Sequence, residues 1–376
     1  MKHWKKLFSL SLACLLAVSA TACAQQDQTP TESSLSGDVS QTVPEDNTAK
    51  ELQKVLEDSE FKGIAYITKN GKVLLSKSTG TSDKTGKNAV NENTLFRIAS
   101  NSKQFTAAAI MLLVQEGKLS VSKKISTYFP SCSYGSKVTI HQLLCMRSGI
   151  PDYITLKDGK LPFAATQNAS AAENKKAIEE YILSRELSFK PGVEMEYSNS
   201  NYFLLARIVE IVSGMSYEDY LTEKFFKPLQ MTQTGFADTF SGELAEEMAV
   251  NRQQAYLLYP GMSFGAGSII SNVHDLNLWL NSLTDYPILS KEVVTDMAYS
   301  NSNPGDALQY GYGLMIDASG NAFFHTGTLS AYSSMLYVNQ VTNTKMILLS
   351  NYPGKEIEAV GTGLINYLSL DFEASE

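Results

Sequence analysis

Apolar and polar positions divide the chain into blocks of different periodicity. Leu7 to Val18 is a short apolar run behind Lys2, Lys5 and Lys6, and Ser19-Ala20-Thr21-Ala22 leads from it to Cys23. Positive, then apolar, then small is the order of an export signal, and the run is too short to span a membrane. Ala24 to Thr48 is rich in Gln, Thr, Ser, Asp and Glu, with Pro30 and Pro44. A stretch with so little to bury predicts a disordered tether. Ala49 to Leu56 has the pattern of an amphipathic helix. Two apolar runs, Gly63 to Thr68 and Val73 to Ser76, flank Asn70-Gly71 and predict a hairpin. Near the other end Ala322 to His325, Ser333 to Asn339 and Lys345 to Leu349 predict three more strands, and a final helix follows from about Glu356 to Leu368. The middle, from about Thr94 to Trp279, reads as mostly helical. Strands at both ends with helices between them predict an α+β fold. Both chain ends build one antiparallel sheet flanked by helices, the helical middle forms an inserted lobe, and the cleft between them is the expected site. The expected divisions are a signal over 1–23, a tether over 24–48 and one folded domain over 49–372.

Composition narrows the chemistry. The net charge is −8, and no run of lysine or arginine occurs beyond the N-terminus, which excludes nucleic acid as a main partner. Histidine is scarce (His3, His141, His274 and His325), with no His-Glu-x-x-His and no Cys-x-x-Cys, so no metal and no cofactor is expected. The small residues before Cys23 resemble a bacterial lipobox, in which Cys23 carries the lipid and becomes the mature N-terminus. The alternative is plain cleavage after Ala22 and a secreted protein. Lipidation implies the extracytoplasmic face of a bacterial membrane, with the membrane itself a partner. The folded part then retains Cys132 and Cys145. A disulfide is open to an exported protein, but Cys145 lies in the packed-looking helix Ile140 to Met146, which predicts a buried free thiol.

Three short motifs carry candidate chemistry. Ser100 and Lys103 open the apolar stretch that continues through Ala107 to Val114. Positions i and i+3 share a helix face, so hydroxyl and amine can meet. Serine is a weak nucleophile until a base takes its proton, and a lysine becomes that base when burial lowers its pKa. The same spacing at Ser59 to Lys62 and Ser120 to Lys123 sits in polar stretches. The second motif is Tyr197 and Asn199, after the turn Pro191-Gly192 and before the apolar stretch Phe203 to Val212. A tyrosine beside a cationic lysine loses its proton more easily and can act as a base, and an amide can hold both a lysine and a substrate carbonyl. The third is His325-Thr326-Gly327-Thr328 on a predicted strand, where His325 can supply charge or a hydrogen bond and Gly327 lets a ligand approach. A literal Lys84-Thr85-Gly86 precedes the serine in a polar loop and is a decoy.

In this order the motifs resemble the penicillin-recognising serine hydrolases: class C β-lactamases, DD-carboxypeptidases and related esterases. The resemblance runs from about Glu51 to the C-terminal helix. It includes Val138 to Leu144, Arg147 to Tyr153, Phe226 to Met231, Gly265 to Ser271 and Tyr310 to Gly313. It implies that Ser100 is acylated and that Lys103 and Tyr197 shuttle its proton to the leaving group. It also implies that the backbone amides of Ser100 and Thr328 form an oxyanion hole and that Asn199 holds the acyl amide. Thr326 and Thr328 would bind a substrate carboxylate, beside His325 and Gly327. Class C β-lactamases usually have lysine where this chain has His325, and a neutral histidine anchors a carboxylate more weakly. The sequence therefore points to a DD-carboxypeptidase or endopeptidase acting on D-amino-acid peptides of the cell wall. A β-lactamase, an esterase on small acyl esters and a penicillin-binding sensor without turnover are the alternatives. The implied partner is a small-molecule or peptide acyl donor. The absence of Gly-x-Ser-x-Gly argues against a Ser-His-Asp hydrolase of the α/β type.

Overall fold

A computed structural model describes residues 45–240, 242–249, 254–299, 301–302, 309–353 and 357–373. The signal, the lipobox-like Cys23 and the tether up to residue 44 lie outside them. The strands are β1 (Gly63–Lys69), β2 (Lys72–Thr79), β3 (Phe96–Arg97), β4 (Gly235–Phe236), β5 (Ile269–Ser271), β6 (Met315–Ile316), β7 (Ala322–Leu329), β8 (Tyr332–Asn339) and β9 (Thr344–Ser350). The α-helices are α1 (Glu45–Asp58), α2 (Ser102–Gln115), α3 (Ile140–Leu144), α4 (Ala171–Ser184), α5 (Asn199–Ser213), α6 (Tyr217–Leu221), α7 (Phe264–Gly267), α8 (Val273–Asp285), α9 (Lys291–Ala298) and α10 (Ile357–Glu373).

Both chain ends meet in one six-stranded sheet of order β2-β1-β9-β8-β7-β6, antiparallel throughout. The expected hairpin turns at Asn70, whose positive φ of 53° suits the Asn-Gly pair. Both sheet faces are covered. Ala65, Ile67, Met335 and Leu348 pack on Leu52, Leu56, Val360 and Leu364 of α1 and α10. Ile64, Leu336, Ile347 and Leu349 face the helical lobe. Burial on both sides explains why β9 reads as a continuous apolar run rather than an alternating one.

Helix α2 runs through the lobe's core. Every residue from Ser102 to Leu113 is buried, so it shows apolar character all round rather than on one stripe. Helix α1 starts before the expected Ala49, and α10 runs past the expected Leu368. The middle is less helical than its pattern implied, because long irregular segments join its helices. A second, three-stranded sheet, β3-β5-β4, also went unforeseen. Its strands are two or three residues long, too short for any periodicity to register. Cys132 and Cys145 are both buried free thiols. No described helix is long and apolar enough to cross a membrane.

Candidate active site

Ser100 sits in the cleft between sheet and lobe, in a 3-10 turn over Ala99–Asn101 that leads directly into α2. Ala99 enters the turn at φ 49°, a left-handed conformation costing an alanine roughly 1–2 kcal/mol. A buried chain of hydrogen bonds holds the turn in place. Trp279 Nε1 donates to Gln104 Oε1 (3.0 Å), Gln104 Nε2 to Asn101 Oδ1 (2.9 Å), Asn101 Nδ2 to Ser334 Oγ (2.8 Å), and Ser334 Oγ to the Ile98 carbonyl (2.6 Å). Every polar atom in that chain has a partner, which makes it rigid. Strand β7 passes the turn so closely that a Cβ on Gly327 would lie 2.5 Å from the Ile98 oxygen and 2.9 Å from the Ser100 nitrogen. No side chain fits there, and that contact fixes which face of β7 looks at the serine.

Lys103 is fully buried one turn on. Its Nζ lies 3.0 Å from Ser100 Oγ, 2.8 Å from Asn199 Oδ1 and 2.8 Å from the Ala266 carbonyl. Burial pushes its pKa down to about 7, against the pull of Asp152, whose negative charge raises it. A neutral amine has two N–H donors and one lone pair. The amide and carbonyl oxygens take the donors, which leaves the lone pair for the Ser100 hydroxyl proton. The lysine is thus placed and poised as a base near neutral pH.

Tyr197 faces the same hydroxyl, hydrogen-bonded to Ser100, with Lys103 Nζ 5.0 Å from its ring centre. Its phenol is held above its usual range, chiefly by burial and also by the Asp152 charge, which outweigh the Ser100 bond. Burial thus works against the easier proton loss expected beside a cationic lysine. The raised pKa favours the protonated phenol, the form that can donate a proton.

Of the two roles expected of His325, charge or a hydrogen bond, the structure shows the second, and Thr326 departs from expectation. His325 is fully buried behind Tyr197. Its Nδ1 lies 2.6 Å from the Thr326 carbonyl, which can only accept, so Nδ1 carries the proton and Nε2 accepts from Tyr310 Oη at 2.9 Å. Burial, with Lys103 adding to it, pushes its pKa down to about 3. His325 is a neutral buttress of the tyrosine pair and supplies no positive charge. Thr326 falls on the opposite face of β7, where its hydroxyl donates to Glu358 Oε1 of α10 at 2.9 Å. The threonine expected to receive a carboxylate already has one. Thr328 is exposed and lines the cleft with Ser100, Asn199, Ile154, Leu257 and Leu329.

Asp152 was missed by the motif reading. Its carboxylate accepts from Asn199 Nδ2 (2.9 Å) and from the Asn199 backbone N–H (3.2 Å). It thereby fixes the amide whose oxygen meets Lys103. Burial pushes its pKa up to about 6 in spite of these bonds. Its loop is clamped to the start of α5: Ser148 Oγ donates to Asn201 Oδ1 (2.5 Å), and Ser200 Oγ to the Pro151 carbonyl (2.6 Å). The available signal was one acidic residue between Ile150-Pro151 and Tyr153-Ile154, an apolar neighbourhood where a carboxylate needs partners. Replacing Asp152 by Asn removes the charge that raises the Lys103 pKa. The acid limb of the acylation-rate profile then moves to lower pH, by about one unit. The plateau also falls, about tenfold, because an amide has one oxygen for two Asn199 donors. A pH–rate profile reads both changes, and an unmoved acid limb would show that Asp152 does not act on Lys103.

Comparison with known proteins agrees with this geometry. The beta-lactamase family model matches residues 48–366. Protein flp of Staphylococcus aureus strain N315 is 31% identical over 344 residues, covering 85% of this chain, which spans 67% of that relative. Penicillin-binding protein 4* of Bacillus subtilis strain 168 is 30% identical over 334 residues, covering 81% of this chain and 72% of its own length. Among solved structures, the D-amino acid amidase of Ochrobactrum anthropi SV3 complexed with D-phenylalanine superposes with a TM-score of 0.73 at 22% identity, covering 88% of this chain and all of that one. At that identity it speaks for the fold alone. Family model, relatives and fold agree: the chain belongs to the beta-lactamase family of serine hydrolases and penicillin-binding proteins.

Proposed function

We propose that this protein is a hydrolase that forms an acyl-enzyme at Ser100 and acts on D-amino-acyl amide and peptide bonds of the cell wall. The observation that carries the reading is the fully buried Lys103, held so that its lone pair meets the Ser100 hydroxyl. Ser100 attacks the carbonyl as Lys103 takes its proton. Tyr197 gives a proton to the departing nitrogen and is replenished from Lys103. Water then enters by the same route in reverse. The backbone amides of Ser100 and Thr328 would receive the oxyanion, a contribution of roughly a hundredfold or more in rate per donor. Ile154, Leu257 and Leu329 give the cleft an apolar wall suited to a small side chain on the acyl group. One relative supports this substrate class, being named for penicillin binding. A lipid on Cys23 would hold the enzyme at the outer face of the membrane, where such peptides lie.

The test is intact-mass measurement of the soluble form, lacking residues through Cys23, with benzylpenicillin and with N-acyl-D-Ala-D-Ala and its C-terminal amide. Wild type is expected to gain the mass of the drug and to cleave at least one peptide, and Ser100→Ala to do neither. Turnover of none of them by wild type would remove D-amino-acyl substrates from consideration.

A further inference from the structure

The cavity beside Ser100 is small. Its volume is about 60 Å³, and Ser100, Asn199 and Thr328 line it together with Ile154, Leu257 and Leu329. An apolar cavity of roughly 150 Å³ accepts a benzene ring, so this one has no room for an aryl or long alkyl group. Leu257 comes to it from outside the elements that carry the chemistry. It sits buried in the 3-10 turn Ala255–Leu258 and clusters with Ala99 and Leu329. Three hydrogen bonds hold that turn. Tyr256 Oη donates to the Ile154 carbonyl (2.7 Å), the Ser330 N–H to Gln254 Oε1 (3.1 Å), and Ser263 Oγ to the Leu257 carbonyl (2.8 Å). Ile154 belongs to the loop that carries Asp152, and Ser330 follows β7 directly. The turn therefore bridges the two banks of the cleft, and moving it aside means breaking bonds to one of them. Tyr197, which serves the leaving group in the reading above, is not among the residues that line this cavity, whereas Asn199 is. The cavity therefore receives the acyl part of a substrate.

We infer that Leu257 sets an upper limit on the acyl group this site accepts: a methyl or ethyl branch beside the carbonyl enters, and an aromatic or long alkyl branch does not. The inference rests on the functional reading above, in which Tyr197 serves the leaving group, and it refines the substrate class. Among D-amino-acyl donors the site takes D-alanyl rather than D-phenylalanyl ones. The limit is steric, because a close-packed wall admits an oversized group only with strain. One methylene more or less in an apolar pocket changes kcat/KM by about tenfold or more, so the effect of a whole ring is easily measured.

The experiment uses three nitrophenyl esters that share a leaving group and differ in the acyl group: acetate, propionate and phenylacetate. Each kcat/KM is divided by the ester's rate of spontaneous hydrolysis. Wild type is expected to cleave acetate and propionate and to fall about tenfold or more on phenylacetate. In Leu257→Ala the phenylacetate-to-acetate ratio rises about tenfold. Leu257→Val removes a single methylene and leaves the turn packed, and it raises the ratio by less in the same direction. Phenylacetate cleaved as well as acetate by wild type overturns the inference. So does a ratio unchanged in Leu257→Val, and in Leu257→Ala where that variant folds, or a wild type that releases nitrophenol from none of the esters. These esters contain no D-amino acid. The expected size order with no cleavage of either D-Ala-D-Ala peptide would therefore leave the inference standing and sink the D-amino-acyl reading.

Discussion

Replacing Lys103 by methionine is expected to slow acylation of Ser100 by about a thousandfold or more, the scale of losing a general base. The fold should survive it. Methionine has nearly the length of lysine and no charge, so the change removes a buried amine that itself opposes burial. The Asn199 and Ala266 oxygens lose a donor, at a cost of about 1–3 kcal/mol each, which a thermal melt would register as a moderate drop. Wild type carries a matching pH signature. With its pKa near 7, Lys103 is protonated below that value and cannot take a proton. Acylation should then fall about tenfold per pH unit on the acid side and level off above it. Rapid-quench mass spectrometry of the benzylpenicillin adduct measures both effects. A methionine variant that acylates within tenfold of wild type would transfer the role of base to Tyr197.

The parts of this site that were legible in the sequence are those set by local geometry. Ser100 and Lys103 meet because three residues make nearly one helical turn, and no tertiary information is needed to see it. The hairpin at Asn70-Gly71 and the strands at both ends follow equally local rules, so the main sheet and the inserted lobe could be anticipated. Asp152 could not, because its meaning comes from Asn199, which lies far along the chain and reaches it only when the Arg147 to Tyr153 loop folds onto α5. The third motif was legible only in part. Alternation on a strand puts His325 and Gly327 on one face and Thr326 and Thr328 on the other, but sequence does not say which face meets the serine. The phase is set by the approach of Gly327 to the Ser100 amide, a packing event between distant segments. Once it is set, His325 must turn inward to the tyrosines and Thr326 outward to α10.

Tyr197→Phe should separate substrates by their leaving groups. Phenylalanine keeps the ring that packs against Tyr310 and His325 and faces the Lys103 amine, so only the hydroxyl is lost. Because burial keeps that hydroxyl protonated, its loss removes an acid rather than a base. An amine expelled from an amide needs a proton as the carbon–nitrogen bond breaks. A phenolate expelled from an activated ester does not. Amide and peptide turnover should therefore fall about a thousandfold, while phenyl acetate hydrolysis falls by less than about tenfold. Steady-state rates for the two substrates on the same variant give the ratio directly. If both fell equally, the proton delivered to the leaving group would have to come from Lys103 itself. The nearby tyrosine would then serve only to orient the serine.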